Sequence, residues 1–452
     1  MGQLRTGEPV WELHFDENGN LTAPSRASFT GDVAGRGVED LFVFSHGWGA
    51  SQDDAAELYE EMFPLIRQAA VGVPGLGRLG FAAIYWPSLW FPPTPATPPP
   101  AGGGSLQASG GAAAPLSAGT AALTGAAIAA SLAPGFADPD QQKAVVQLGQ
   151  LIDQGQDMAR TGQPDAAKRE LITQISELIR SLAPPGRGED SGERALLTAG
   201  DPADAYQQTA AVFGSTAAGG ATQGIGDWFT SAINGAKDSV RVLSYWTMKA
   251  RAGTIGQTGL GPLLTALRAQ SPAIRVHLTG HSFGARLVSF ALAGLGSPGQ
   301  SPVNSLTLLQ GAFSHWSFAG ATGNPFAAPG GLNGLGNRVH GPLVATFSSF
   351  DWAVGTWYPR ASFLARQNLQ NAGPDQWGGM GADGFQPPAA ASTVVMPVTG
   401  GLDYGFKAGS FYRIDAAKVI CDTTESSFSG AHSDIRKLPV AQLVAAAAAA
   451  HD

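Results

Sequence analysis

An α/β fold with a mostly parallel central sheet is predicted by three features of the sequence. Leu41–Ser45 is a continuous apolar run, the mark of a strand covered on both faces. Between it and a second such run, Gly80–Trp86, the residues Ala55, Leu58, Tyr59, Met62 and Ile66 fall at helical spacing, so strand, helix and strand make a βαβ unit. The pattern returns late in the chain. There Ile274–Thr279 runs into a glycine-bracketed turn and then a helix carrying Leu287, Val288, Phe290 and Leu292.

The other elements follow in order. Trp11–Phe15 ending in Asp16-Glu-Asn-Gly-Asn reads as a strand entering a turn, an opening hairpin. Ser51 with Asp54 three residues on resembles a capping box for the first βαβ helix, although Asp stands where Glu or Gln is usual. Beyond Trp86 the rhythm stops. Pro92, Pro93, Pro95 and Pro98–Pro100 form a stiff exit, and a Gly/Ala-rich tract follows to about residue 137. Apolar residues at helical spacing from Val145 to Ile152 and from Leu171 to Ile179 predict a helix pair over about 140–182. Residues 186–200 are polar and loop-like. A long helix from about 227, a second over Gly261–Ala269, strands at Val303–Gln310 and Leu343–Ser349, a strand region over Phe411–Asp415 with Val419 and Ile420, and a final helix from Leu438 complete the chain. The implied division is a core of 1–87 and 235–452, with 88–234 inserted as a largely helical cap.

Composition narrows the function. A net charge of −8 argues against binding a phosphate backbone, which needs a basic face, and offers no attraction to anionic lipid. No nucleic-acid partner is expected. No stretch of 18 strongly apolar residues is present, so no integral membrane segment is expected. The N-terminus lacks the apolar core of a secretory signal, which makes a cytoplasmic location the expectation. The single cysteine, Cys421, is expected to be a small core residue near a strand end. There is no H-E-x-x-H or comparable ligand set, so neither a metal nor another cofactor is expected.

Gly280-His-Ser-Phe-Gly284 carries the chemistry. A G-x-S-x-G stretch between a buried strand and an apolar-periodic helix raises its serine on a tight turn, and side chains at either glycine would collide with the neighbouring elements. Ser282 is therefore a candidate nucleophile; the alternative is an ordinary glycine-rich turn with an inert serine. On this motif and its flanks the chain resembles the α/β-hydrolase superfamily of the serine esterase and lipase type, over about 1–90 and 235–445. With the elbow strand counted as the fifth, the runs at 41, 81, 303, 343 and 411 fall into place as the third, fourth, sixth, seventh and eighth. The resemblance thus implies a sheet of about eight strands, with the cap after the fourth.

It also implies a triad in the order Ser282, Asp351, His432. Asp351 follows the seventh strand, and its alternative is to cap the helix beginning near Val354; Asp383, Asp403 and Asp422 are the reserves. His432 lies in the loop after the last strand, where the base belongs. His46-Gly47 follows the third strand, as an oxyanion motif would, so the implied donors are the backbone N–H groups of Trp48 and Phe283. Of the other histidines, His277 is expected to be satisfied in the core, while His315 and His340 have no evident partner. Trp86, Trp90, Trp316 and Trp352 sit where strands meet loops and could line an apolar or aromatic pocket, or simply pack the core.

The implied activity is cleavage of carboxylic esters through an acyl-enzyme, on a small-molecule or lipid-like ester. An acyltransferase, thioesterase or polyester depolymerase would use the same triad, and a non-catalytic binding protein would share the fold alone. The cap could roof a pocket, open on lipid or form an oligomer contact.

Overall fold

The computed structural model describes residues 2–88, 124–136, 138–182, 202, 228–324, 328–357, 378–386, 391–424 and 429–450. In chain order its main elements are β1 (Gly2–Gln3), β2 (Pro9–Phe15), β3 (Leu21–Ala23), α1 (Arg26–Gly35), β4 (Asp40–Ser45), α2 (Gln52–Ala70) and β5 (Leu79–Tyr85). Next come α3 (Gly125–Leu132), α4 (Pro139–Thr161), α5 (Asp165–Leu182), α6 (Trp228–Thr254) and α7 (Gly261–Gln270). The rest are β6 (Arg275–His281), α8 (Phe283–Gly294), β7 (Val303–Leu309), β8 (Leu343–Phe347), α9 (Met380–Asp383), β9 (Ala391–Val395), β10 (Phe411–Asp415) and α10 (Leu438–Ala449).

All ten strands join one sheet in the order β1-β2-β5-β4-β6-β7-β8-β10-β9, with β3 beside β2. Only the pairings of β1 and β3 with β2 are antiparallel; every other pairing is parallel. The expected count of about eight is therefore corrected to ten. The additions escape a pattern search for physical reasons: β1 has two residues, both exposed, and β9 (Ala-Ser-Thr-Val-Val) is an edge strand with no buried residue. The expected opening hairpin is β2 and β3, and its turn is held by Asp16, whose side chain accepts from Asn18 N and Asn20 N.

The twofold alternation of β4 divides the core. Leu41 and Val43 face one apolar layer, shared with α1, α6, α7 and α8; Phe42 and Phe44 face a second, built with α2 and α10. Each such buried side chain contributes about 1.5–3 kcal/mol. Ser51 does cap α2: its hydroxyl accepts from Asp54 N while Asp54 accepts from Ser51 N, so Asp serves in the reciprocal box.

Helices α3, α4 and α5 pack through Ile128, Leu148, Ile152, Leu171 and Ile175 into the same layer as the sheet residues. The boundary expected at 234/235 falls inside α6, which contacts α4 and α5 as well as α8. Arg251 of α6 also donates to the carbonyls of Pro87 and Gly135. The described part of the insertion is thus continuous with the core. Most of the expected linker, the 186–200 loop and Trp90 lie outside the described residues. Among the described residues, no helix is long and apolar enough to cross a membrane.

The chain reverses its direction across the sheet at β4. From β4 the chain moves outward to β5, then returns to the other side of β4 as β6. The crevice beyond the carboxyl ends of β4 and β6 is such a switch point, where open parallel sheets bind ligands.

Candidate active site

Ser282 stands at that crevice, between β6 and α8, with φ 57° and ψ −123°. A left-handed backbone is costly for a residue with a Cβ, and such strain concentrates at functional sites. The flanking glycines have the reason expected of them. A Cβ on Gly280 would lie 2.3 Å from the carbonyl oxygen of Gly284, and one on Gly284 would lie 2.2 Å from that of Ser45. Two hydrogen bonds hold the turn from β7: Ser282 N donates to Leu309 O and Ala312 N donates to Ser282 O, each at 3.1 Å.

The turn after β4 lies directly against the serine. A Cβ on Gly47 would be 2.6 Å from Ser282 Cβ and 3.2 Å from its Oγ. His46 is buried, stacks on Trp86 at 5.5 Å, and donates from Nδ1 to the Gly47 carbonyl at 2.8 Å. Burial pushes its imidazole down to about 4, so it is neutral near pH 7. The peptide after Gly47 is planar and trans, so fixing its carbonyl toward His46 turns the Trp48 N–H the opposite way. Tyr59 Oη accepts from His46 N and donates to Ile84 O, tying this turn to α2 and β5. As the first residue of α8, Phe283 has an N–H that its helix does not use.

Asp351 and His432 are 81 residues apart in the chain, yet His432 Nδ1 lies 2.9 Å from Asp351 Oδ2, with both residues almost fully buried. Backbone pairing brings them together: Ala431 N donates to Phe350 O, Trp352 N donates to Ser429 O, and Asp351 bridges Gly430. Asp351 Oδ1 accepts from Val354 N at 2.9 Å, so this residue both caps the following turn and holds the histidine, one oxygen for each. Ser282 and the pair meet through the intervening His281. Its Nε2 donates to His432 O at 2.9 Å, and the two rings are 4.8 Å apart. Burial, then the neighbouring His432, pushes His281 down to about 3. Among the described residues Ser282 Oγ makes no hydrogen bond to His432; such contacts often tighten only with substrate bound.

The reserve aspartates are elsewhere. Asp383 pairs with His315 Nδ1 at 2.7 Å, Asp422 is exposed and accepts from Thr424, and Asp403 is exposed. His315 and His340 thus have partners after all, the latter Ser301 O at 2.9 Å. Cys421 is exposed, not a core residue, because it lies beyond the end of β10 in a loop held by Asp434. Of the tryptophans, Trp86 is 5% exposed and supports the turn after β4, donating to His46 O. Trp316 packs edge-on against His315, whereas Trp352 is 38% exposed beside Phe350 at 40%. A cavity of about 20 Å³, large enough for one water, lies between the turn and the base loop. Its described lining includes His46, Gly47, His281 and Arg436 but not Trp86, Trp316 or Trp352.

Sequence reasoning missed Gln310 and the role of His281, because both act through bonds to residues distant in the chain. It also missed a second Ser-His-Asp array. His277 Nδ1 meets Ser305 Oγ at 3.0 Å and its Nε2 meets Asp40 Oδ1 at 3.0 Å, all three buried on adjacent strands β6, β7 and β4. Among the described residues no cluster of three or more His, Cys, Asp or Glu could hold a metal ion.

No protein-family model matches the chain, and no curated protein or solved structure matches it either.

Proposed function

We propose that the chain is a serine hydrolase that cleaves carboxylic esters, of the α/β-hydrolase type. The observation that carries this reading is a strained serine at the switch point whose chain neighbour His281 donates to the carbonyl of His432, the histidine of a buried histidine–carboxylate pair. Ser282 Oγ attacks the ester carbonyl carbon while His432 Nε2 takes its proton. The carbonyl electrons move onto oxygen, where the N–H groups of Trp48 and Phe283 receive the charge, each such donor being worth roughly 10²–10³ in rate. Collapse of the tetrahedral intermediate breaks the bond to the alcohol oxygen, which leaves with the proton from His432. Water, deprotonated by the same histidine, then releases the acid and regenerates Ser282. Asp351 keeps the imidazole in the Nδ1–H tautomer and stabilises the imidazolium.

Phe350 and Trp352, exposed on either side of Asp351, favour an ester with an apolar or aromatic portion. The chain's own groups and water suffice for these steps. Acyl transfer, thioester cleavage and polyester cleavage would begin identically and differ in the acceptor or leaving group.

A fluorophosphonate probe tests the reading. The protein should label stoichiometrically, Ser282→Ala should not label, and His432→Ala should label at least about 10³-fold more slowly. Equal labelling of Ser282→Ala and the parent would reject it.

A further inference from the structure

Two non-glycine residues have a left-handed backbone among the described residues, Ser282 and Gln310, the latter with φ 47°. They end neighbouring strands, β6 and β7. Such strain at Gln310 is costly and persists only where its surroundings over-determine it. The surroundings do. Gln310 is fully buried, and every polar group of its side chain is engaged. Its Nε2 donates to Asp351 Oδ2 at 2.8 Å and to Gly381 O at 3.2 Å, while its Oε1 accepts from Thr346 Oγ1 at 2.8 Å. The amide orientation follows from chemistry, since a carboxylate and a carbonyl can only accept. Its own backbone N donates to Thr346 Oγ1 at 3.0 Å.

Two consequences meet here. Asp351 Oδ2 accepts from both Gln310 and His432. Meanwhile Leu309 and Ala312, on either side of Gln310, hold the backbone of Ser282. We propose that Gln310 is a positioning residue that sets the orientation of the Asp351 carboxylate relative to the serine elbow, so that His432 is presented to Ser282. This inference rests on the serine-hydrolase reading.

Fluorophosphonate inactivation, resolved into its maximal rate and its apparent affinity, tests it with Gln310→Met and Gln310→Glu. The Met variant keeps length and volume but loses the donor; its maximal rate should fall about tenfold or more while affinity stays within about twofold. The Glu variant places one acceptor against another and should be slower still at pH 8. Relative to the parent at each pH it should recover as the pH falls toward 5, because the introduced carboxyl, once protonated, can donate again. A parental rate in both variants overturns the proposal. So does a deficit that follows lost thermal stability and is independent of pH. If the Met variant does not fold, Thr346→Val removes the anchor of Gln310 without touching the acid: a fall of a few-fold supports the proposal, and a parental rate overturns it. Failure of the parent protein itself to label rejects the hydrolase reading instead.

Discussion

Ser, His and Asp are gathered twice along one sheet, once with the serine a residue removed from the histidine–carboxylate pair and once fully hydrogen-bonded, and burial does not distinguish the two sets. Ser282, His432 and Asp351 are 5%, 2% and 1% exposed; Ser305, His277 and Asp40 are 1%, 0% and 0%. Position does. The first set hangs from the carboxyl ends of β6 and β8 and from the loop before α10, where the chain can turn. The second lies within the register of β4, β6 and β7, where Asp40 stands opposite Arg275 and His277 opposite Ser305. There Arg275 clamps Asp40 with two of its nitrogens, and Gly77 N adds a third donor. Burial alone would raise the Asp40 carboxyl, but hydrogen bonds from His277 and Arg275 outweigh it and hold it well below the usual carboxylate range. Both nitrogens of His277 are occupied. Of these six residues, Ser282 alone has a left-handed backbone. The proposed site thus lies where strand ends let a serine stand clear, whereas the set inside the sheet is a fastening.

Exchanging carboxylates for amides breaks the symmetry most strongly. Asp351→Asn should slow fluorophosphonate labelling by roughly 10⁴ through the wrong imidazole tautomer. Asp40→Asn should leave the labelling rate of folded protein near the parental value. It should cost about 3–5 kcal/mol in urea unfolding, because it leaves buried partners of the lost charge. Loss of labelling in folded Asp40→Asn would erase the distinction.

The buried histidines around the serine turn and the Asp40 array should also lose their contributions in different pH windows. The folded value of about 3 for His281 lies below the ~6.5 of an unfolded histidine. Between those values the unfolded chain binds the extra proton, so stability falls as the pH falls from about 6.5. His46, at about 4 in the folded state, acts in the same sense. The depressed Asp40 carboxyl contributes fully above its unfolded value of ~3.9, and that contribution is lost only as the pH falls through its lower folded value. Urea unfolding followed from pH 8 down to about pH 2 should therefore show a first decline that His281→Gln flattens and a second, beginning only below about pH 4, that Asp40→Asn flattens. Identical profiles for the parent and both variants would contradict these assignments. The smallest effect belongs to Ser305→Ala: about 1 kcal/mol of stability, from one lost buried hydrogen bond, with labelling unchanged.

Local patterns were legible, and long-range pairings were not. The elbow, the capping box at Ser51 and the βαβ units could be read because each depends on residues within one turn or one strand of each other. Helix α1 was missed because Arg-Ala-Ser-Phe-Thr-Gly-Asp-Val-Ala-Gly has weak apolar periodicity and two glycines, and it relies on Ser25, whose hydroxyl accepts from Ser28 N. The placement of Asp351 and His432 came from a family resemblance. Their 2.9 Å contact depends on backbone pairing between 350–352 and 429–431, which no periodicity announces. Gln310 carried no signal at all: its strain and its bond to Asp351 exist only once β7, β8 and α9 are assembled.

By itself, then, the sequence determined a parallel α/β core and a serine on a glycine-bracketed elbow, because apolar runs, helical spacing and the reach of a Cβ are local properties. Tertiary structure alone decided which histidine meets which carboxylate. Asp40, Asp351 and Asp383 each found an imidazole, and one pair packs against His281, which precedes the strained serine. That choice follows from strand order and register, which set the distances between residues far apart in the chain.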